Sequence, residues 1–391
     1  MTIHLTVYPD ECDAFGHLNQ ASYLALFERA RWELLARGPG MDVFTRAGVW
    51  PAVRRVTIDY LAGAWPGDVL AFTVELTGRG RTSFTLKQRA ERVSDGRLVA
   101  TAELVFVCID HDERPVEVPP GILAALTESP RRVTLPSGIT YAVDERGEGD
   151  TAVLFLHGYP LDRTLWRAQL DGLRGHRLLA PDLRGFGGSE HRDPPRTLEA
   201  HADELAALCD ALGVRRVIPV GLSMGGYLAL AFAERHRERL AGLVLMDTRA
   251  SADDEAGRAN RDAAIATAER DGASAIADAM APKLFAEQVE SQVRDGIVRV
   301  MRAAPVAGIT AALAAMRDRA DRTALLPTLT GLPVLVMVGT EDRLTPPDAA
   351  RAMATAIPGA ELVEVEGAGH LPPVERPATV TESLQRFLDR V

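Results

Sequence analysis

The chain divides into two parts that differ in their pattern of apolar and polar positions. In the first part, Gln20–Arg37 places apolar side chains three and four positions apart, which predicts an amphipathic helix that Gly38-Pro39 ends. A short strand over Ile3–Tyr8 precedes it. Three amphipathic extended segments follow: Val69–Leu76, Ser83–Arg92 and Leu98–Ile109. The pattern predicts an α+β unit in which antiparallel strands wrap one long helix.

In the second part, short apolar segments alternate with helix-like ones. This alternation predicts an α/β unit with a mostly parallel, doubly wound sheet, entered through a hairpin at Pro136-Ser137-Gly138. The predicted strands are Ala152–Leu156, Arg177–Ala180, Val217–Val220, Leu243–Met246, Leu335–Val338 and Leu362–Val365. Residues 251–328 are rich in alanine, helical in pattern and poor in strands. Because they interrupt the alternation, we predict that they form a helical lid.

The polar stretch Leu126–Arg132 contains a proline and is the predicted linker between the two parts. We therefore predict one domain over residues 1–128 and a second over residues 133–391. A length of 391 residues also fits two domains better than one core.

Composition narrows the functional classes. The net charge of −10 argues against nucleic-acid binding, which needs a basic field. The three cysteines (Cys12, Cys108 and Cys209) are scattered and form no CxxC pair, which is typical of a reducing compartment and indicates no metal site. With no signal peptide and no apolar run of roughly 20 residues, the sequence predicts a cytoplasmic protein that binds no membrane.

The strongest motif is Gly221–Gly226 (GLSMGG), which lies between an apolar strand and a helix-like segment. Strand, G-x-S-x-G and helix together are the context of a nucleophile elbow, in which a strained turn lifts a serine above the sheet. The alternative is a tight turn without chemistry. We predict that Ser223 is a catalytic nucleophile.

A serine nucleophile needs a general base and an acid that orients it. His370 lies in a glycine-rich loop after a predicted strand, whereas His157 precedes the serine. Asp342 follows the strand Leu335–Val338 and completes the chain order Ser–Asp–His. Two other acids stay open as alternatives, Asp247 after the strand Leu243–Met246, and Glu341.

The acyl-transfer intermediate carries an oxyanion that two backbone N–H groups must stabilise. We predict that Met224, directly after the nucleophile, supplies one of them. Tyr159, in the loop after Ala152–Leu156, supplies the other. The alternative for His157-Gly158 is a plain strand-to-loop turn.

From about residue 133 to residue 391 the chain resembles the α/β-hydrolase superfamily, in particular small carboxylesterases, enol-lactonases and perhydrolases. The resemblance rests on HG-x-P (His157–Pro160), PDLRGFGGSE (Pro181–Glu190) and GLSMGG. It implies an ester hydrolase that uses no cofactor and no metal, with Asp182 and Arg184 bracing a loop. Serine at the elbow argues against haloalkane dehalogenases and soluble epoxide hydrolases, which use aspartate. Lactonase, perhydrolase and C–C bond hydrolase activities share the triad and remain alternatives.

A second cluster lies just before the first helix and contains Asp10, Asp13, His17 and Asn19. Helix capping by Asn19 explains part of it. The functional interpretation is a carboxylate beside helix N-terminal amides that polarise a thioester carbonyl.

The stretch Asp13–Tyr23 (DAFGHLNQASY), followed by Phe27–Arg31 (FERAR), resembles the hotdog-fold acyl-CoA thioesterases of the 4-hydroxybenzoyl-CoA type over about residues 1–126. The resemblance implies that Asp13 is the catalytic carboxylate and that His17, Asn19 and Tyr23 shape the site. Gln20 departs from the family's second asparagine. Glu28, catalytic in other branches of the fold, is interpreted here as structural.

The same resemblance implies a homodimer, because two hotdog sheets join edge to edge and form the active site between subunits. CoA would bind through surface arginines, which are equally well explained as solvated residues: Arg54, Arg55, Arg79 and Arg81. The sequence thus predicts a two-domain hydrolase of small esters and acyl-CoA thioesters. The alternative from another class is a first domain that only dimerises or binds acyl groups.

Overall fold

The computed structural model describes residues 2–37, 44–45, 47–119 and 130–391. They form two compact units, Met1–Ser129 and Pro130–Val391. The N-terminal unit has one cluster of buried apolar side chains, and the C-terminal unit has two, one on each face of its sheet.

Among the described residues of the N-terminal unit, a long helix packs on a five-stranded antiparallel sheet. The strands are β1 (Thr2–Thr6), β2 (Trp50–Tyr60), β3 (Val69–Arg79), β4 (Ser83–Arg92) and β5 (Leu98–Ile109), in the order β1-β3-β4-β5-β2. Helix α1 (Gln20–Arg37) buries Phe27 against Phe72 of β3, with ring centroids 5.3 Å apart. The helix and three strands occupy their predicted segments, and the predicted stop at Gly38-Pro39 lies outside the described residues.

Strand β2 was not predicted from the apolar pattern. It lies at an edge of the sheet, where it pairs with β5, and none of its eleven residues is buried. Ile58 packs against the core and Tyr60 meets Tyr23 with ring centroids 5.4 Å apart, but these contacts leave every residue of the strand at least partly exposed, so the sequence lacks the alternation that marks a half-buried strand. A bulge between Val53 and Arg55 shifts the register further.

The C-terminal unit is built on an eight-stranded sheet in the order β13-β12-β11-β10-β8-β9-β7-β6. Its strands are β6 (Arg131–Thr134), β7 (Thr140–Arg146), β8 (Thr151–Leu156), β9 (Arg177–Pro181), β10 (Arg216–Leu222), β11 (Leu243–Met246), β12 (Val334–Gly339) and β13 (Glu361–Val365). Strands β8 to β13 pair with one another in parallel, whereas β7 pairs antiparallel with both β6 and β9. The sheet is therefore mixed, with the predicted hairpin at its antiparallel edge.

Helices cover both faces of this sheet because successive side chains of a strand point to opposite faces. Leu154 of β8 belongs to one apolar cluster and Phe155 to the other. The helices are α2 (Arg167–Gly172), α3 (Leu198–Ala211), α4 (Met224–Arg235), α5 (Glu255–Leu284), α6 (Ser291–Ala303), α7 (Val306–Arg317), α8 (Pro347–Ala356), α9 (Pro372–Glu375) and α10 (Pro377–Leu388). Phe232 of α4 lies in the first cluster and Phe387 of α10 in the second.

The predicted linker requires one correction. Arg131 and Arg132 belong to β6, whose ladder with β7 begins at Arg131, so ordered structure starts ahead of residue 133. Strand pairing in the hairpin holds the backbone of these two arginines, so they belong to the sheet and not to a linker. Residues 126–129 lie outside the described residues.

Three helices and a 3-10 turn fill the segment between β11 and β12. Helix α5 is broken at Gly272, whose φ of +79° no helix accommodates. Among the described residues, no single helix is long and apolar enough to cross a membrane. In this part of the chain α6 and α7 taken together have the length and hydropathy, but they meet at 96°.

Candidate active site

Ser223 occupies the sharp turn between β10 and α4. Its backbone has φ +55° and ψ −113°, a left-handed conformation that costs energy for a residue with a side chain. The turn is held by Ser223 N–H, which donates to Met246 O at 2.9 Å, and by Thr248 Oγ1, which donates to Ser223 O at 2.8 Å. Ser223 is half-buried while its neighbours in the turn are buried, so the strain presents this side chain at the surface of the site.

The glycines that flank the serine are required by close backbone contacts. A Cβ on Gly221 would lie 2.2 Å from Gly225 O, and one on Gly225 would lie 2.1 Å from Leu156 O. Both distances are far below van der Waals contact with backbone atoms that cannot yield. The G-x-S-x-G spacing therefore lets the strand turn into the helix directly beneath the serine.

Four loops meet at the carboxyl edge of the parallel strands. Ser223, Asp247, Asp342 and His370 follow β10, β11, β12 and β13, which are neighbours in the sheet. Parallel strands end at the same edge, which is where open α/β sheets carry their sites. Gly339, at the end of β12, permits this convergence, because a Cβ there would lie 2.0 Å from Gly369 O.

The structure brings His370 and Asp342 together in a buried pair. Nδ1 of His370 lies 2.8 Å from Oδ2 of Asp342, and both residues are buried. With Nδ1–H donated to the carboxylate, Nε2 is left as the acceptor that a general base needs. None of the hydrogen bonds in the described chain joins Ser223 Oγ to His370, as is common in active sites without substrate.

Asp342 is held as an ionised acceptor. Its Oδ1 accepts N–H bonds from Leu344 at 2.8 Å and Thr345 at 3.1 Å, and its Oδ2 also accepts Thr345 Oγ1 at 2.6 Å. Burial by itself raises the pKa of Asp342, but the hydrogen bond and charge of His370 together with these donors outweigh it and lower the pKa below its ordinary value. The carboxylate is therefore charged when the imidazolium forms beside it.

The two other candidate acids have different surroundings. Asp247 is fully buried and accepts Gly339 N–H through Oδ1 at 2.9 Å. Burial, followed by the charge of Asp342, raises the pKa of Asp247 well above its ordinary value. Glu341 accepts Glu287 N–H at 3.1 Å, and no hydrogen bond in the described chain joins it to His370.

The predicted oxyanion-hole residues, Tyr159 and Met224, lie beside Ser223. A Cβ on Gly158 would lie 2.8 Å from a methyl of Leu222 and 3.5 Å from Ser223 Cβ, so the loop carrying Tyr159 packs against the turn. The backbone N–H groups of Tyr159 and Met224 donate to no residue in the described part of the chain. Both amides are therefore available to a ligand.

The buried ring of His157 holds this loop through two hydrogen bonds. It is fully buried, its Nδ1–H donates to Gly158 O at 3.0 Å, and its Nε2 accepts Leu183 N–H at 2.9 Å. Burial lowers the pKa of His157, which keeps the ring neutral for these two bonds. It is thus a structural histidine, as its position ahead of the serine suggested.

Asp182 and Arg184 lie in buried networks, away from His370. Asp182 accepts Arg163 N–H at 2.8 Å, Arg163 Nη1 at 2.5 Å and Gly188 N–H at 2.6 Å. Arg184 pairs with Glu204 at 2.7 Å. These contacts close the Pro181–Glu190 loop.

Two supporting residues escaped the sequence analysis. Thr345 holds Asp342, as described, three positions after it. Glu375 is buried, and its carboxylate accepts N–H bonds from Gly369 at 3.1 Å and Leu371 at 3.0 Å, on both sides of His370, and from Ala286 at 2.8 Å. A buried acid five residues after the histidine was the available signal, but only the fold shows which amides it meets.

In the N-terminal unit, the cluster ahead of α1 forms a tight turn and a helix cap. Asp13 is exposed, and its Oδ1 accepts Phe15 N–H at 2.8 Å and His17 N–H at 3.2 Å. Asn19 caps the helix through Oδ1, which accepts Ala21 N–H at 2.7 Å. The N–H of Gln20 donates to no residue in the described chain, so one helix-terminal amide stays available.

The remaining predicted residues of this cluster line its surroundings. His17 is exposed and meets Trp65 edge to face at 5.5 Å. Tyr23 is buried and donates its hydroxyl to Ala62 O at 3.3 Å, and burial raises the pKa of Tyr23 to about 12. Glu28 accepts Trp32 Nε1–H at 3.3 Å, one helical turn further on. The arginines suggested for CoA (Arg54, Arg55, Arg79 and Arg81) are all exposed.

Comparison with known proteins identifies the family to which each part of the chain is similar. Residues 151–377 match the family model of the alpha/beta hydrolase fold, and residues 7–126 match that of the thioesterase-like superfamily. The first match spans more than half of the chain. The chain belongs to the α/β-hydrolase family and carries a thioesterase-like N-terminal domain.

Particular relatives narrow the class further. A thermophilic esterase from Thermogutta terrifontis is 40% identical with a TM-score of 0.63, over 67% of this chain and 99% of the esterase. An enol-lactonase from Burkholderia xenovorans LB400 is 28% identical with a TM-score of 0.61, over 66% of this chain and all of the lactonase. The AB hydrolase superfamily protein YisY of Bacillus subtilis is 28% identical over 59% of this chain and 89% of its own length. The chain is a hydrolase of this esterase-like group.

Proposed function

We propose that the C-terminal unit hydrolyses carboxylic esters through a covalent acyl-enzyme, with Ser223 as nucleophile, His370 as base and Asp342 as orienting acid. The observation that carries this proposal is the buried His370–Asp342 hydrogen bond of 2.8 Å at the strand edge that also bears the strained serine. The test is ester hydrolysis by Ser223→Ala, which should lose nearly all activity.

In the proposed reaction, Ser223 Oγ attacks the ester carbonyl as His370 Nε2 takes its proton. Asp342 stabilises the imidazolium, which then returns the proton to the leaving alcohol. Water attacks the acyl-enzyme, His370 accepts a proton from it, and the carboxylic acid leaves as Ser223 regains its hydrogen. The free N–H groups of Tyr159 and Met224 would hold the oxyanion in both halves.

We infer that the helices between β11 and β12 act as the lid over this site. The supporting contacts lie at the end of α5, where Leu284 O accepts His370 N–H at 2.8 Å and Ala286 N–H donates to Glu375 at 2.8 Å. The lid segment therefore contacts the histidine loop, where it can shape the acyl pocket.

For the N-terminal unit we propose acyl-CoA thioester hydrolysis in a hotdog fold, with Asp13 as the catalytic carboxylate. The antiparallel sheet around α1, the exposed Asp13 and the available Gln20 amide support it. His17, Asn19 and Tyr23 would shape the site. The competing proposal is a non-catalytic dimerisation or acyl-binding module.

Asp13→Asn separates these two proposals. We expect it to slow acyl-CoA hydrolysis by at least about 10²-fold, the usual contribution of a positioned base or nucleophile, and to leave p-nitrophenyl ester hydrolysis unchanged. The measurement is a panel of CoA thioesters and simple esters on wild type, Asp13→Asn and Ser223→Ala. Asp10→Asn is the matched control. Loss of thioester cleavage in the serine variant alone would favour the binding module.

We propose that two copies pair through the β2 edges of their N-terminal sheets. Among the described residues, β2 exposes Val53 by 49%, Val56 by 37% and Tyr60 by 47%, a row of apolar side chains unusual for a strand facing water. A second copy adding its own β2 would cover them and complete the strand's hydrogen bonds. The exposed Asp13 turn would then face residues of the other copy.

Val56→Arg should convert the dimer to a monomer, because it places a charge in the proposed strand pairing. Light scattering after size-exclusion chromatography measures the mass. Val93→Arg is the control, since Val93 is 52% exposed but lies outside β2. A Val56→Arg protein that stays dimeric contradicts pairing at this edge.

Lactone hydrolysis is the second candidate activity of the Ser223 site, favoured by the likeness to an enol-lactonase. Perhydrolysis and C–C bond cleavage use the same triad. Rates on p-nitrophenyl esters of increasing chain length, compared with rates on lactones, would rank these substrates.

A further inference from the structure

We propose that Asp247 is a positioning residue of the Ser223 site: its neutral carboxyl group donates a hydrogen bond to Asp342 and holds that carboxylate against His370. This inference rests on the proposed hydrolytic function and gives a role to the acid that the sequence left as a rival of Asp342.

The geometry places three titratable groups in one buried cluster. One carboxylate oxygen of Asp247, one of Asp342 and one ring nitrogen of His370 lie within 4.8 Å of one another. Asp247 and Asp342 are both buried, so a charge on either lies in the low-dielectric interior. Two carboxylates this close cannot both stay ionised, and one keeps a proton.

The hydrogen bonds decide which carboxyl keeps the proton. Asp342 accepts four donors from His370, Thr345 and Leu344, which stabilise its charge. Asp247 accepts one, from Gly339, and its Oδ2 has no partner unless it carries a hydrogen that Asp342 accepts. Burial and the charge of Asp342 raise the pKa of Asp247, in agreement with this assignment.

The surroundings of Asp247 reinforce the assignment. The charge of the buried Glu375 also raises the pKa of Asp247 and so disfavours a second negative charge there. The backbone of Asp247 has φ +44°, a left-handed conformation that an aspartate adopts at a cost. A neutral acid that donates a hydrogen bond to a charged site group is a known device of active sites.

The first test follows unfolding free energy against pH and does not depend on activity. In the unfolded chain Asp247 ionises near its ordinary pKa of about 3.9, whereas in the folded chain it stays protonated. Unfolding then releases a proton above that pH, so this residue lowers wild-type stability as pH rises. An asparagine side chain does not titrate, and the stability of Asp247→Asn relative to wild type should therefore rise with pH above the ordinary pKa of aspartic acid, over the range in which Asp247 stays protonated in the folded chain.

Asp253→Asn is the matched control. Asp253 is also buried, but although burial raises its pKa, the hydrogen bond from Arg319 and the charges of Arg319 and Arg261 lower it to about 2. Above about pH 5 it is ionised in both states, so the stability difference for Asp253→Asn should stay constant. A constant difference for Asp247→Asn as well would overturn the proposal, because Asp247 would then be ionised in the folded protein.

The second test measures ester turnover. Asparagine keeps the acceptor for Gly339 and supplies an N–H donor to Asp342, so Asp247→Asn should retain kcat within about threefold and leave the acid limb of the kcat/KM profile in place. Asp247→Ala should lower kcat by about tenfold or more with KM nearly unchanged, the cost of a lost hydrogen bond to a charged group.

Three results would overturn the positioning role: a folded Asp247→Ala protein with wild-type kcat, an Asp247→Asn protein as slow as the alanine variant, or an acid limb moved down by Asp247→Asn. If Asp247→Ala does not fold, the kcat of Asp247→Asn and the pH series of unfolding free energies still test whether Asp247 is neutral and positions Asp342. Full activity in Ser223→Ala would instead refute the hydrolytic function, and the stability series would be unaffected by that outcome.

Discussion

Ser223→Ala is expected to lower kcat/KM for p-nitrophenyl esters by at least about 10⁴-fold, the scale of loss when a triad serine is removed. Thr345 Oγ1 lies 3.4 Å from His370 Nδ1 but cannot replace Ser223, because this hydroxyl donates to Asp342 and faces the ring nitrogen that is not the base. The folded state should persist, since the serine side chain makes no hydrogen bond within the described chain and alanine accepts the same packing.

Initial rates on short-chain p-nitrophenyl esters, with thermal unfolding as the check of folding, measure this effect. Ser137→Ala is the matched control, because Ser137 lies in the exposed β6–β7 hairpin turn. It should behave as wild type. Retention of full esterase activity by Ser223→Ala would refute the mechanism as a whole.

Asp342→Asn should reduce kcat by about 10⁴-fold while changing KM little, as for other triads whose acid is neutralised. The lost charge no longer stabilises the imidazolium. An amide nitrogen facing His370 Nδ1 would also reverse the hydrogen bond of 2.8 Å and place the ring proton on Nε2, where it blocks proton transfer from the serine.

Glu341→Gln is the neighbouring control for this variant. Glu341 accepts Glu287 N–H, which a glutamine side-chain oxygen can still accept, so turnover should stay within about threefold of wild type. A large loss of turnover in Glu341→Gln, together with an active Asp342→Asn, would show that Glu341 and not Asp342 is the acid that orients His370.

Local sequence was sufficient for elements whose conformation depends on neighbours in the chain. Helix α1 was predicted to its residue bounds because its apolar face repeats with the helical period. The serine turn was predictable from the G-x-S-x-G spacing, in which Gly221 is required by its contact with Gly225 in the same strand–turn–helix unit. Gly225 is required by Leu156 and His157, which lie outside that unit. Strand β2 was missed for the converse reason, since its exposed residues carry no period of their own.

The choice among acids needed the tertiary structure. Asp247, Glu341 and Asp342 all follow strands, and chain order alone only favours the last of them. Their difference arises from contacts between residues 28, 54 and 92 positions apart: Asp342 meets His370, Glu341 meets Glu287, and Asp247 meets Gly339. No sequence pattern encodes which of these pairs a fold brings together.

By itself the sequence determined the two-part organisation, the family and the strand–turn–helix that carries Ser223, because each depends on short segments whose spacing reflects local backbone geometry. The tertiary structure alone decided the mixed character of the large sheet, the place of the β2 edge and the environment of each buried acid. The physical reason is that protonation follows burial and neighbouring charge, and both belong to atoms far apart in the chain. Asp247 and Asp342 share a residue type and a position after a strand, and only their surroundings make one a donor and the other an acceptor.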